Sequence, residues 1–142
     1  MIPSKQGIKS LISQREPMLL VDSLVSSDKT TTTCRFLIKT DNIFVSQGRL
    51  SAPGLIENIA QTAAAGFGYN RKKDGLDVPT GFLGGIRNLK IHELPGVQSE
   101  LETTTTVENE VFGMKVVKGE IRVNGKCITE CQMKFMIFTK EE

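Results

Sequence analysis

Apolar and polar positions divide the chain into one strongly helical stretch and several segments of strand character. The run QGRLSAPGLIENIAQTAAAGFGYN (residues 47–70) sets Leu55, Ile56, Ile59, Ala60, Ala63, Ala64 and Phe67 at helical spacing, and a helix that is apolar almost all round is a buried one. The spacing predicts one long helix over residues 53–70, with Ser51 as its cap and Pro53 in its first turn. Its second half is crowded with Ala63, Ala64, Ala65, Gly66 and Gly68, small residues that let another backbone approach. Ala60, Ala63, Ala64 and Phe67 are therefore expected to lie buried against a curved antiparallel sheet.

The flanking segments supply that sheet. Residues 7–14 place Ile8, Leu11 and Ile12 on one side of a short helix, and Pro17 ends it by pushing Glu16 toward extended geometry. Residues 18–25 are a near-continuous apolar strand with Asp22, read as structural, as the only charge. Residues 30–38 return with Cys34, Phe36 and Ile38 on one face. After the helix, NRKKDGLDVPTG is a polar loop, and all that follows has strand character. Strands are predicted over residues 82–92 (bent near Gly84-Gly85), 99–108 and 114–123. Asn124-Gly125 then turns the chain into a last strand over residues 126–139, with Cys127, Cys131, Met133, Phe135 and Ile137 on one face. The fold class is α+β, a single domain over residues 1–142 in which one helix is wrapped by one sheet. A helix this apolar is not fully covered by one chain, so a dimer is expected.

Composition narrows the function classes. With 39% hydrophobic and 24% charged residues the chain reads as an ordinary soluble globule, and a net charge of +2 is too small to argue for nucleic acid or an anionic membrane. The absence of Trp and the single Tyr leave no stacking platform for single strands. No apolar run spans a bilayer, and MIPSKQGIKSLISQ lacks the core of a signal peptide, so a cytoplasmic location is expected. Cys127 and Cys131 are too far apart along one strand to bridge; with Cys34 they read as free, packed thiols, and neither a metal nor a cofactor is expected.

Two polar groups interrupt the helix, Glu57 and Gln61, four apart and so stacked on one face. A carboxylate in the first turns of a buried helix is costly unless something uses or pairs it, which makes Glu57 the focus of any chemistry.

With these residues in this order, the chain resembles the hotdog fold, and within it the 3-hydroxyacyl-carrier-protein dehydratases of fatty-acid synthesis. LISQREPMLLVDSLV is similar to their opening segment, IENIAQ to their helix signature of Glu followed four residues later by Gln, and GGIRNLKIHELPG and VNGKCITECQMKF to two later strands. Those enzymes carry a second catalytic residue, a histidine in a Gly-His-Phe-Pro loop ahead of the helix. Here the loop is Gln47-Gly48-Arg49-Leu50-Ser51 and shorter, without histidine. In this it is more similar to a divergent branch found with aryl-polyene and flexirubin-type pigment clusters, whose Gly-x-Leu-Pro-Ala…Gly-Ile-Glu-x-Met-Ala-Gln pattern is matched by Leu50, Ala52, Ile56, Glu57, Ala60 and Gln61 but not by Ser51 and Pro53.

The resemblance implies an acyl thioester on acyl-carrier protein or CoA as substrate. Glu57 would be the acid that protonates the leaving hydroxyl, a role favoured by burial. The amides of Gly54 and Leu55 would serve the enolate oxygen. Gln61 would orient Glu57 or the thioester. Arg49, near the histidine's place, stays protonated and cannot be a base, but it can bind an anion or pair with Glu57. His92 reads as a turn histidine, and Arg71, Lys72 and Lys73 as a solvated helix end or a dock for an acidic carrier. Three functions follow: a dehydratase-like enzyme, a thioesterase in which Glu57 activates water, or a non-catalytic acyl binder. The resemblance also implies an assembly paired edge to edge through residues 82–92, which would cover a strand edge that is otherwise a liability: a homodimer or larger, or a heterodimer with a histidine-containing dehydratase.

Overall fold

A computed structural model describes residues 5–139; residues 1–4, the beginning of the stretch weighed above for a leader, and residues 140–142 lie outside it. The chain runs α1 (Lys5–Lys9), β1 (Ser23–Ser27), β2 (Thr31–Leu37), β3 (Val45–Ser46), β4 (Arg49–Leu50), α2 (Ala52–Lys73), β5 (Thr80–Ile91), β6 (Glu100–Val111), β7 (Met114–Val123) and β8 (Lys126–Phe138). Six strands form one curved antiparallel sheet in the order β1-β2-β6-β7-β8-β5, and β3 and β4 make a separate small hairpin. α2 is the only long helix among the described residues, and it lies against the sheet.

The helix is buried from two sides. Leu55, Ile59 and Ala63 join Leu101, Val117, Ile121, Met133 and Phe135 of the sheet in the main core. Ala65 joins a second cluster with Ile8, Leu11, Leu19, Val21 and Leu24, which packs the N-terminal segment on the other flank. The small residues do admit close neighbours. A Cβ on Gly66 would run into the Thr32 side chain, and one on Gly68 into the backbone carbonyl of Leu11. At Gly68, then, the backbone that comes close is the N-terminal segment rather than the sheet.

Several expectations change. Of the four residues expected to be buried against the sheet, only Ala63 is; Ala60, Ala64 and Phe67 are half-buried, because they border a cavity. Strand structure expected from residue 18 begins only at Ser23. Ser51 occupies the cap position without a side-chain cap bond. A cap serves the second or third amide of the helix, and here the second is Pro53, which has none. Cys127 leaves the face it was assigned, because the β7–β8 register shifts between Ile121 and Arg122 and turns it to the half-exposed outer side. The bulge expected at Gly84-Gly85 is present, as a register shift between Leu83 and Gly85.

β5 is the unusual strand. It pairs with β8 along one side and, among the described residues, with nothing along the other, and every residue from Thr80 to Lys90 is exposed. Leu83 and Ile86 pair in register with the inward-facing Phe135 and Met133, yet they are 40% and 38% exposed, so α2 leaves this end of the sheet's inner face open.

All three cysteines are free. Burial pushes the Cys34 thiol up to about 12 and the Cys131 thiol up to about 11, while burial and the neighbouring Glu130 carboxylate also raise Cys127. Thiolate is the reactive form, so access should decide the order of labelling. Iodoacetamide added to the native protein at neutral pH should modify Cys127 first and leave Cys34 and Cys131 intact until unfolding, as read by peptide mass spectrometry. Separately, Gly68→Ala should destabilise the fold by about 1–3 kcal/mol, because overpacking against the Leu11 carbonyl outweighs the better helix propensity of alanine; urea denaturation measures it.

Candidate active site

Glu57 lies on the second turn of α2, half-buried, and its Oε2 accepts a hydrogen bond from Gln61 Nε2 at 2.9 Å. The neighbours of Gln61 settle its orientation. Its Oε1 accepts from the Leu20 amide at 2.7 Å, so the NH2 group must face the Met18 carbonyl, at 2.8 Å, and Glu57. Both amide hydrogens are then committed. Gln61 thus orients Glu57 and has no hydrogen left for a thioester.

A second amide completes the arrangement. Asn58, 1% exposed, donates through Nδ2 to the Leu20 carbonyl at 2.8 Å and accepts through Oδ1 from Thr103 Oγ1 at 2.6 Å. Leu20 is gripped at both its N–H and its C=O by side chains of α2. This is why the apolar run before Ser23 is not a strand: at Leu20, helix amides replace the ladder partners. Asp22 belongs to the same region, and its Oδ2 accepts the Leu37 amide at 2.8 Å.

Glu57 opens onto a cavity of about 380 Å3. The floor is the stripe Ala60, Ala64 and Phe67 of α2; Leu11 and Ile12 flank it, and Phe82, Leu83 and Phe135 face it from the sheet. The lining is mostly apolar, and the cavity meets the open start of β5.

The remaining sequence-predicted residues are only partly brought together. Gly54 is packed against Leu50 and Phe44, and its N–H, in the first turn, is not capped by Ser51. The expectation of a free amide at Leu55 is corrected: that N–H donates to the Ser51 carbonyl at 3.1 Å. Arg49 is exposed in the β3–β4 hairpin, where Gln47 and Gly48 turn the chain with positive φ, and its Nη1 donates to the Leu94 carbonyl at 2.6 Å. No salt bridge to Glu57 is formed among the described residues. His92 follows the far end of β5, with Nε2 3.7 Å from Glu130. It lies nine residue steps along the strand from Leu83, roughly 30 Å at strand rise. His92 therefore cannot serve Glu57 of its own chain. Asn58 and Thr103 were not singled out from sequence; Asn58, beside Glu57 in a largely apolar helix, was a readable signal, whereas Thr103 is one of many strand threonines.

A curved antiparallel sheet around one central helix, with a carboxylate on that helix facing an apolar cavity, defines a protein of the hotdog fold. A family model described as ApeP-like, ApeP dehydratase, matches residues 6–141, and the chain belongs to that family. Among solved structures, the dehydratase heterocomplex ApeI:P from Xenorhabdus doucetiae is similar with a TM-score of 0.86 at 20% identity, covering 95% of this chain and 93% of that one. A sigma28-regulated virulence protein, Cj0977, from Campylobacter jejuni aligns with a TM-score of 0.70 at 11% identity over 94% and 85% of the two chains. A hypothetical thioesterase with coenzyme A from Streptococcus pneumoniae TIGR4 aligns with a TM-score of 0.67 at 9% identity over 82% and 88%. No protein of curated function matches. Among the described residues, no helix is long and apolar enough to cross a membrane, and no group of metal-ligating side chains is found.

Asn58→Leu keeps the side-chain size but leaves the Leu20 carbonyl and the Thr103 hydroxyl without their partner. It should cost about 1–3 kcal/mol, measured as a lowered urea midpoint with unchanged slope.

Proposed function

We propose that this chain is the glutamate-bearing half of a dehydratase that removes water from 3-hydroxyacyl chains carried as thioesters on acyl-carrier protein or CoA. The observation that carries the reading is Glu57, held by Gln61 at the edge of an apolar cavity that adjoins the free edge of β5. Dehydration breaks a C–H bond at the α carbon and the C–O bond at the β carbon. A base takes the α proton, the electron pair forms the double bond, and the hydroxyl leaves as water with a proton from the Glu57 carboxyl. The Gly54 N–H, unserved by a cap, is the donor for the thioester oxygen as charge develops there.

The base has to come from elsewhere. Antiparallel pairing along β5 would lay the far end of a partner's β5 beside this cavity, together with the hairpin that docks next to it. In an identical partner the hairpin position holds Arg49, which stays protonated and cannot take a proton, and His92 stands instead against Glu130. A partner of the same fold with a histidine in its hairpin would complete the site, and the similar heterocomplex of ApeI and ApeP supports a two-chain assembly. Hydrolysis is the second reading, favoured by one fact: Glu57 could activate water without any histidine.

The test uses this chain assembled with a histidine-bearing hotdog dehydratase. Incubation with a 3-hydroxyacyl-carrier substrate should yield a product lighter by one water, and Glu57→Gln in this chain should slow it by about 100-fold or more. Release of free acid instead would favour hydrolysis, and undiminished dehydration by Glu57→Gln would overturn the assignment.

A further inference from the structure

We propose that Phe67 is the wall that ends the acyl cavity and so sets the longest chain the site accepts, an inference that rests on the acyl-thioester reading above. Two separate cavities flank the second half of α2. The first, about 380 Å3, is the one that holds Glu57. The second, about 260 Å3, lies between α2 and strands β2, β6 and β7, bordered by Thr32, Ala63, Gly66, Thr105 and Val107. Phe67 is the one residue that lines both.

Its ring is fixed in that position from the sheet side. It meets Phe135 edge-on, with centroids 5.6 Å apart and planes at 82°, and Lys115 Nζ stands 5.0 Å from its centroid. Lys115 and Phe135 are register partners on β7 and β8, so the ring closes the gap between helix and sheet at one level. Lys115 is itself anchored, with Nζ 3.6 Å from Glu110. The wall is three side chains deep: Phe135 on one side, the aromatic ring in the middle and an ammonium group behind it.

The approach to the wall is cleared by small residues. Glu57, Ala60, Ala64 and Phe67 are spaced by three, four and three along one stripe of α2, so they line a single path. Ten residues of helix are about 15 Å long. Between the carboxylate and the ring the helix presents only methyl groups on this path, and the first bulky side chain is Phe67. A chain whose thioester sits by Glu57 runs along the alanines until its end meets the ring. Beyond the ring the second cavity is rimmed by Asp28, Lys29, Asp74, Glu110 and Lys115, a charged mouth that does not welcome an apolar chain end. Removing the ring would join the two spaces into one passage.

The experiment measures binding of non-hydrolysable alkyl-pantetheine thioethers of graded chain length to the full chain in its purified assembly. Wild type should bind more tightly with each added carbon up to a cut-off and lose affinity beyond it. Phe67→Ala should move the cut-off to longer chains, with a gain of about tenfold or more for each methylene newly admitted. Ala64→Leu, which narrows the path before the wall, should move it to shorter ones. Should Phe67→Ala fail to fold, Phe67→Leu should give a smaller shift in the same direction. A folded Phe67 variant with the wild-type profile overturns the wall and leaves the acyl-thioester reading standing, whereas wild type that binds no chain of any length overturns both.

Discussion

The structure depends on how two side-chain amides of one helix hold a single residue of the chain that precedes it. Leu20 gives its N–H to Gln61 and its carbonyl to Asn58, and each amide spends its remaining capacity on a further partner. A buried amide with every donor and acceptor committed has one orientation, and the groups it touches inherit that orientation. Glu57 is therefore aimed by the same contacts that pin the N-terminal segment to the helix. Positioning of the carboxylate and packing of residues 18–20 are one event.

This coupling explains how much could be read in advance. The long helix, the last four strands and the bulge near Gly84 were legible because each rests on local periodicity or turn chemistry. β7 has the predicted bounds, and α2 runs over Ala52–Lys73, a few residues longer than its apolar pattern. The pairing of Glu57 with Gln61 was legible for the same reason, as side chains four apart on a helix meet. Residues 18–22 were misread because an apolar run looks like a strand whether its backbone is satisfied by strands or by amides forty residues away. Cys127 was misplaced because a bulge at Ile128 inverts the facing of the residues before it relative to those after it. Which amides at the helix start are free depended on the Ser51 carbonyl, which no pattern announces.

The helix carries three different kinds of surface, and their division gives the protein its shape. One flank, with Gly66 and Gly68, is pared down so that β2 and the N-terminal segment can press against it. A second, with Ile59 and Ala63, fills the core beneath the sheet. The third, from Glu57 to Phe67, is left half-covered and borders the cavity. The alanines that looked like packing residues serve mainly by leaving space.

The bare edge of β5 has a consequence for how such a protein has to be made. Twelve consecutive residues with one unpaired side, carrying Phe82, Leu83, Ile86 and Leu89 at the surface, form a template onto which further strands can add. A second chain that is to cover this edge, the same or a different one, has to arrive before other unpaired strands do. For a chain whose cover is a different gene product, synthesis in excess is hazardous, because surplus copies meet one another first. Matched expression of the two genes then becomes a matter of colloidal stability, and an orphaned subunit becomes a client for chaperones and proteases.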